Sequence, residues 1–142
     1  MGLDAQGKMS KSMNNTIGLL DPPEAVWAKL RPAVTDPNRV RKTDPGTPEV
    51  CNIYHMHKIF SRAEIVTDVA AQCRSAGWGC IDCKKALFTS MDETLAPMRE
   101  RAAAIQGDPG RVDAILGDGA ATARAIAQET MRETKDRMGL ST

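Results

Sequence analysis

The feature that most constrains the fold is a run of apolar residues, three or four positions apart, between Cys80 and Ile105. The run comprises Cys80, Cys83, Leu87, Met91, Leu95, Met98, Ala102 and Ile105. Residues at this spacing share one face of an α-helix, so the segment predicts a long helix that buries that face. Pro97 lies within it, and its missing N–H predicts a kink or a split.

Shorter helices are predicted before this run. Asp21 is placed to cap a helix that ends near Arg31, because Pro32 disfavours helical geometry in the preceding residue. Thr47 begins a second helix, whose core-facing stripe is formed by Ile53, Met56 and Phe60. Ser61-Arg62-Ala63-Glu64 matches a capping box, so a third helix begins there, and Gly77 is placed to end it.

After the turn Asp108-Pro109-Gly110, a short helix is predicted at residues 112–116 and a last one from about Ala120 to Met138, ended by Gly139. No segment shows strand periodicity. The prediction is an all-α helical bundle over residues 21–142, preceded by a flexible N-terminal loop over residues 1–20.

Composition narrows the class of protein. The net charge of +1 gives no global attraction to nucleic acid, so any RNA contact must be local. No apolar run approaches the length of a membrane span, and residues 1–5 lack a basic flank and an apolar core. We therefore expect a cytoplasmic protein with no membrane partner.

The loop Lys8-Met9-Ser10-Lys11-Ser12 carries two cations among small residues. Two mobile ammonium groups can meet the negative charge that develops when a phosphate is attacked, and small residues let the backbone approach it. The alternative is a basic, Ser-rich loop without a function.

These five residues match, letter for letter, the lysine–serine motif of class I aminoacyl-tRNA synthetases. The chain further resembles the C-terminal part of the bacterial tryptophanyl-tRNA synthetases in several segments, in the expected order. These are Asn14-Asn15-Thr16-Ile17, Val34-Thr35-Asp36, Gly77-Trp78-Gly79, Lys84-Lys85-Ala86-Leu87, Leu95-Ala96-Pro97-Met98-Arg99 and Ala127-Gln128-Glu129-Thr130.

The resemblance implies a tryptophan–tRNA ligase that uses ATP with Mg²⁺, tryptophan and tRNA(Trp). Lys8 and Lys11 would bind the β- and γ-phosphates as catalytic cations. The backbone at Met9 would face adenine, and Ser10 and Ser12 would complete the ATP-binding loop. The helical domain would be of the anticodon-binding type.

The family's parallel nucleotide-binding domain, with its His-rich signature, is absent from this chain. His55-Met56-His57 lacks the following Gly-His, and we interpret both histidines as partly exposed helix residues. The isolated chain should therefore be inactive. The family is homodimeric, whereas we expect this fragment to be a monomer or a weak dimer. The alternative is a stand-alone metal-binding, tRNA-binding module without ligase activity.

Four cysteines, Cys51, Cys73, Cys80 and Cys83, have the spacing C-x21-C-x6-C-x2-C. Cys80 and Cys83 share a face at a helix start, where thiolates gain from the helix dipole. Four thiolates suit a 4Fe–4S cluster or Zn²⁺. A subset of bacterial tryptophanyl-tRNA synthetases resembles this pattern, with one more residue in the first gap, and implies the cluster. Structural zinc and free buried thiols are the alternatives.

By the same resemblance, local cations would contact tRNA phosphates. The candidates are Arg39, Arg41, Lys42, Lys84 and Lys85. The alternative is a solvated, charged face. Trp78 lies between two glycines and would either stack on a base or anchor the core.

Overall fold

The regular structure is helical throughout the part of the chain that the computed structural model describes, residues 1–140. The five α-helices there are α1 (Pro23–Leu30), α2 (Asn52–Phe60), α3 (Ala63–Arg74), α4 (Cys80–Gln106) and α5 (Pro109–Arg137). A 3₁₀ turn, Pro48–Val50, precedes α2. The predicted all-α class is confirmed. None of the helices within residues 1–140 is long and apolar enough to cross a membrane.

The chain divides into two compact units, Met1–Glu100 and Arg101–Thr142. This division does not coincide with the predicted boundary after residue 20. Residues 1–20 are irregular, as predicted, but they are part of the first unit. Leu3, for example, is only 6% exposed and belongs to the main hydrophobic core. Residues 141 and 142 of the predicted helical domain lie outside the described residues.

The core of the first unit is built on one face of α4. Leu87, Met91 and Leu95 from the predicted apolar face are almost fully buried. They form one cluster with side chains from α1, α2 and the loops, namely Leu3, Val26, Leu30, Ala33, Cys51, Ile53 and Met56. Burying a leucine or methionine side chain stabilises the fold by roughly 1.5–3 kcal/mol. This face therefore holds α1 and α2 in place.

Helix α4 continues through Pro97, so the predicted split is wrong. A proline inside a helix costs about 3 kcal/mol, which is less than the combined burial of three large apolar side chains on the same helix. Met98, directly after the proline, packs against the core and favours continuation.

Helix α5 is one helix where two were predicted. Asp108 caps it by accepting the N–H of Arg111, and Gly139 (φ +68°) follows its end, as predicted. Gly117 and Gly119 lie inside it, and each costs only about 1 kcal/mol in a helix. Within residues 109–137 no side chain of α5 is buried.

Two predicted caps have other partners. The Asp21 carboxylate accepts from the backbone N–H of Gly18 and from Lys29 Nζ, and Pro22 is the N-cap of α1. Ser61 Oγ bonds the ring of His57, and α3 begins after Arg62 without a side-chain cap. Helices α1 and α3 begin within two residues of the predicted positions, but both polar side chains bond groups nearby in the sequence instead of the helix starts. The predicted helix start at Thr47 is wrong, because Pro48–Val50 forms a 3₁₀ turn and α2 begins at Asn52.

The two isoleucines of α2 test this packing, because the same substitution can be made at a buried and at an exposed position. Ile53 is fully buried and Ile59 is 76% exposed. We expect Ile53→Ala to lower the free energy of unfolding by about 2–5 kcal/mol. Ile59→Ala should change it by less than about 0.5 kcal/mol. Urea denaturation followed by circular dichroism measures both, and equal losses would contradict this core.

Candidate functional site

The four cysteines line a single cavity. Cys51 immediately precedes α2, Cys73 lies in the last turn of α3, and Cys80 and Cys83 lie in the first turn of α4. The cavity is small, with a volume of about 20 Å³. Its other lining residues are Thr35, Asp36, Arg39, Val69 and Trp78. Three separate elements therefore bring the four thiols to one cavity.

The four thiols are free, and burial disfavours the charged form of Cys73 and Cys83. Burial raises the pKa of the Cys83 thiol to about 12, and the neighbouring thiols act in the same direction. Burial also raises the pKa of Cys73, against which the Arg39 charge acts. Within residues 1–140, no group of three or more His, Cys, Asp or Glu side chains is placed to hold a metal ion. The cysteines thus share a cavity without ligating geometry.

Arg39 bridges several groups around the cavity. Its Nη2 donates to the carbonyl oxygens of Lys42, at 2.8 Å, and Trp78, at 2.6 Å. Its Nη1 lies 3.9 Å from Cys73 Sγ. Its Nε is buried without a hydrogen-bond partner in the described part of the chain. Most of the N–H donors of Arg39 are therefore directed to groups of this site, and its predicted contact with RNA stays a prediction.

Two residues that the sequence analysis did not assign to the site support the cysteines. Gly46 donates its N–H to the carbonyl of Cys73 at 2.9 Å, and a Cβ there would lie 2.6 Å from Cys73 Sγ. His57 is fully buried, with ring nitrogens 2.7 Å from Ser61 Oγ and 3.1 Å from the Cys83 carbonyl. The prediction of a partly exposed His57 is wrong, although His55 is exposed.

The predicted RNA-binding cations fall into two groups. Arg41, Lys42 and Lys85 are exposed, and Lys42 Nζ lies 3.8 Å from Asp82. Lys84 is only 5% exposed, because its ammonium donates to the carbonyls of Arg31 and Ala33, each at 2.7 Å. Lys84 therefore closes the end of α1 instead of facing a phosphate.

Trp78 lies half-buried between two cavities. It lines the cysteine cavity on one side and a surface groove with Glu64, Asp68 and Glu93 on the other. Its carbonyl accepts from Arg39.

The lysine loop is exposed but anchored. Lys8 and Lys11 are exposed, and neither ammonium makes an ion pair within the described chain. Ser10 donates its backbone N–H to Asn15 Oδ1 at 2.7 Å, and its hydroxyl lies 2.8 Å from that of Ser12. The loop therefore presents two free cations on a backbone fixed at its centre.

Comparison with known proteins identifies the class. A family profile described as tRNA synthetases class I (W and Y) matches residues 1–96, and the chain belongs to this family. Its helical elements and its lysine loop fit that assignment.

The relatives specify the branch. The tryptophan–tRNA ligase of Deinococcus radiodurans is 51% identical over 97% of this chain, and that of Aquifex aeolicus is 37% identical over 94%. A crystal structure of the Campylobacter jejuni tryptophanyl-tRNA synthetase, complexed with ADP and tryptophan, superposes over 98% of this chain with a TM-score of 0.88 and 29% identity. The chain spans only 42% and 34% of the two relatives and 43% of the solved chain.

Adjacent lysines test the assignment of Lys84. We expect Lys84→Met to lower the free energy of unfolding by about 1–3 kcal/mol, because two buried carbonyls lose their donor. Lys85→Met, at an exposed position, should change it by less than about 0.5 kcal/mol. Thermal and urea denaturation measure both. A stable Lys84→Met variant with weakened RNA binding would restore the original prediction for Lys84.

Proposed function

We propose that this chain is the C-terminal part of a tryptophan–tRNA ligase and supplies its phosphate-binding loop and its anticodon-side helical domain. The observation that carries the proposal is the alignment of 97% of the chain, at 51% identity, with a tryptophan–tRNA ligase. The substrates of the whole protein would be ATP with Mg²⁺, tryptophan and tRNA(Trp). The oligomeric state stays a prediction.

In the proposed first step, a tryptophan carboxylate oxygen attacks the α-phosphorus of ATP, and the bond to the bridging oxygen breaks, releasing pyrophosphate. In the second, a terminal tRNA hydroxyl attacks the acyl carbon, and AMP leaves. Lys8 and Lys11 would stabilise the charge that builds on the phosphates. Their exposure and lack of an ion-pair partner in the described residues leave both ammonium groups free to do so.

Removing either cation from the full-length ligase tests this role. We expect Lys8→Ala and Lys11→Ala to reduce tryptophan-dependent pyrophosphate exchange by about 100-fold or more, as for other preorganised charge contacts. Tryptophan binding should be unchanged. Lys58→Ala, at an exposed position on α2, is the control. Exchange by the isolated chain, or near-normal rates in both variants, would contradict the proposal.

We further propose that Cys51, Cys73, Cys80 and Cys83 hold a 4Fe–4S cluster. The donor set fits, because four thiols surround one cavity and its lining contains no amine or imidazole base that would compete with them. The Arg39 cation lies beside Cys73. The four cysteines would have to rearrange around the cluster, because the described thiols do not form a ligating group. When bound, the cluster would link the start of α2, the end of α3 and the start of α4 without a redox role.

Two alternatives to the cluster involve the same four cysteines. Structural zinc suits four thiolates equally well. Free thiols agree with the burial-raised pKa of Cys83, which favours the neutral form when no cation is bound. Metal analysis separates all three.

Anaerobic purification with iron, sulfide and zinc analysis tests the cluster. We expect a brown protein with about four irons per chain. Arg39→Gln should lose iron in air several-fold faster than the parent, because it removes the cation beside Cys73. Arg41→Gln, two residues away and exposed, should behave as the parent does. A colourless zinc protein would establish the zinc alternative, and a metal-free one would reduce the cysteines to core residues.

For tRNA, we propose phosphate contacts from Arg41, Lys42 and Lys85, with Arg39 as a supporting residue. The structural support is a surface groove beside Cys80 that is lined by Arg39, Arg41 and Lys42. Lys84 is left out because its ammonium is buried.

The runner-up function is a stand-alone metal-binding, tRNA-binding module, favoured by the separate hydrophobic core within the first unit. Tight tRNA binding by the isolated chain would support this module.

A further inference from the structure

A buried side chain from α2 holds the N-terminal segment. Asn52 is only 3% exposed, and its Nδ2 donates to the carbonyl of Gly2 at 2.8 Å. The two residues are fifty positions apart in the sequence. Asn52 is also the first residue of α2, directly after Cys51. Gly2 is therefore held by the residue that directly follows Cys51.

A second buried asparagine holds the lysine loop. Asn15 is 4% exposed, and its Oδ1 accepts the N–H of Ser10, the central residue of the loop. Its Nδ2 donates to both carboxylate oxygens of Asp4, at 3.0 and 3.1 Å. The pKa of Asp4 is lowered first by the backbone N–H of Gln6 and then by Asn15, so the carboxylate stays an acceptor.

Gly2 connects the two asparagines. Its N–H donates to the Gly7 carbonyl at 2.7 Å, and its own carbonyl accepts from Asn52 Nδ2 and, at 3.0 Å, from the backbone N–H of Ala5. A Cβ on Gly2 would lie 2.2 Å from Asn15 Nδ2, so the backbone at Gly2 packs directly against the second asparagine. The next residue, Leu3, donates to the Asn15 carbonyl at 3.0 Å. A continuous path thus runs from Asn52 to Ser10.

Beyond these contacts, the loop is held by backbone turns from Met13 to Ser10 and from Asn14 to Lys11, and it has little apolar burial. Met9 and Met13 are 40% and 56% exposed, and Lys8 and Lys11 are exposed. A loop with little apolar burial opens easily unless polar contacts hold it. Both asparagines are buried, and losing either one removes a hydrogen bond from a segment with little apolar burial, so we expect the loop to open.

We propose that Asn15 and Asn52 are positioning residues that couple the start of α2, beside the cysteine site, to the order of the lysine loop. The inference rests on the proposed phosphate-binding role of that loop and adds how the helical domain controls it. A disturbance at Cys51 would reach the loop through Asn52, Gly2 and Asn15. The loop would then be ordered only when the start of α2 is intact.

Trypsin provides a direct readout, because it cleaves after lysine and arginine and the loop contains Lys8 and Lys11. We expect Asn15→Ala and Asn52→Ala to speed cleavage at these lysines by about tenfold, since cleavage follows the population of the open loop. Cleavage at Arg124 and Arg132 in α5 is the internal reference. Asn38→Ala, the same chemical change at an exposed loop residue, should leave all rates unchanged.

Combined variants distinguish coupling from general destabilisation. If both asparagines act on one path, the double variant should cleave at these lysines about as fast as the faster single variant instead of multiplying the two effects. Asn15→Asp alone places a carboxylate against Asp4 and should open the loop. Adding Asp4→Asn restores a donor–acceptor pair and should return cleavage to within about twofold of the parent. Independent, multiplying effects or a failed rescue would overturn the proposal.

The full-length ligase supplies the second readout. We expect Asn52→Ala to raise the KM for ATP several-fold and to leave the KM for tryptophan unchanged, because fewer molecules have a competent loop. Unchanged cleavage after Asn52→Ala would overturn the coupling whatever the enzyme does. Faster cleavage with an unchanged KM for ATP would overturn the phosphate-binding role of the loop and leave the hydrogen-bonded path standing.

Discussion

The burial of one face of α4 is the constraint on which the rest of the first unit depends. Leu87, Met91 and Leu95 bring α1, α2 and the N-terminal Leu3 into one core. Apolar burial has no direction, so this core sets which elements meet but not the angles of individual polar groups. Polar contacts then determine the details: Lys84 closes the end of α1, and Asn52 holds Gly2.

The cysteine site follows from the same packing. The start of α4 carries Cys80 and Cys83, and its core face holds α2 with Cys51 close by. Arg39 and Gly46 then bring the loop before α2 against Cys73. In this arrangement burial favours the protonated thiols of Cys73 and Cys83, so deprotonation would need a positive charge beside them.

Sequence periodicity predicted most helices because the 3.6-residue repeat is a local property. It failed where the free-energy terms that favour a helix and those that oppose it are similar in size. Pro97 and the glycines of α5 each weaken a helix by a few kcal/mol or less, and packing or helix continuity outweighed them. The predicted caps failed for a different reason, because the side chains of Asp21 and Ser61 bond Lys29 and His57 instead of the helix N-termini.

The sequence by itself determined the helical class, the lysine loop and the set of four cysteines, since these depend on residue type and spacing. Only the tertiary structure decided which polar side chains are available. Lys84 and Lys85 are identical in chemistry and adjacent in sequence, yet one is buried on two carbonyls and the other is exposed. Successive residues of an α-helix point about 100° apart. One of two adjacent lysines can therefore be buried while the other is exposed, which composition does not reveal. The link from Asn52 to the lysine loop was likewise invisible in the sequence, because its partners are fifty residues apart.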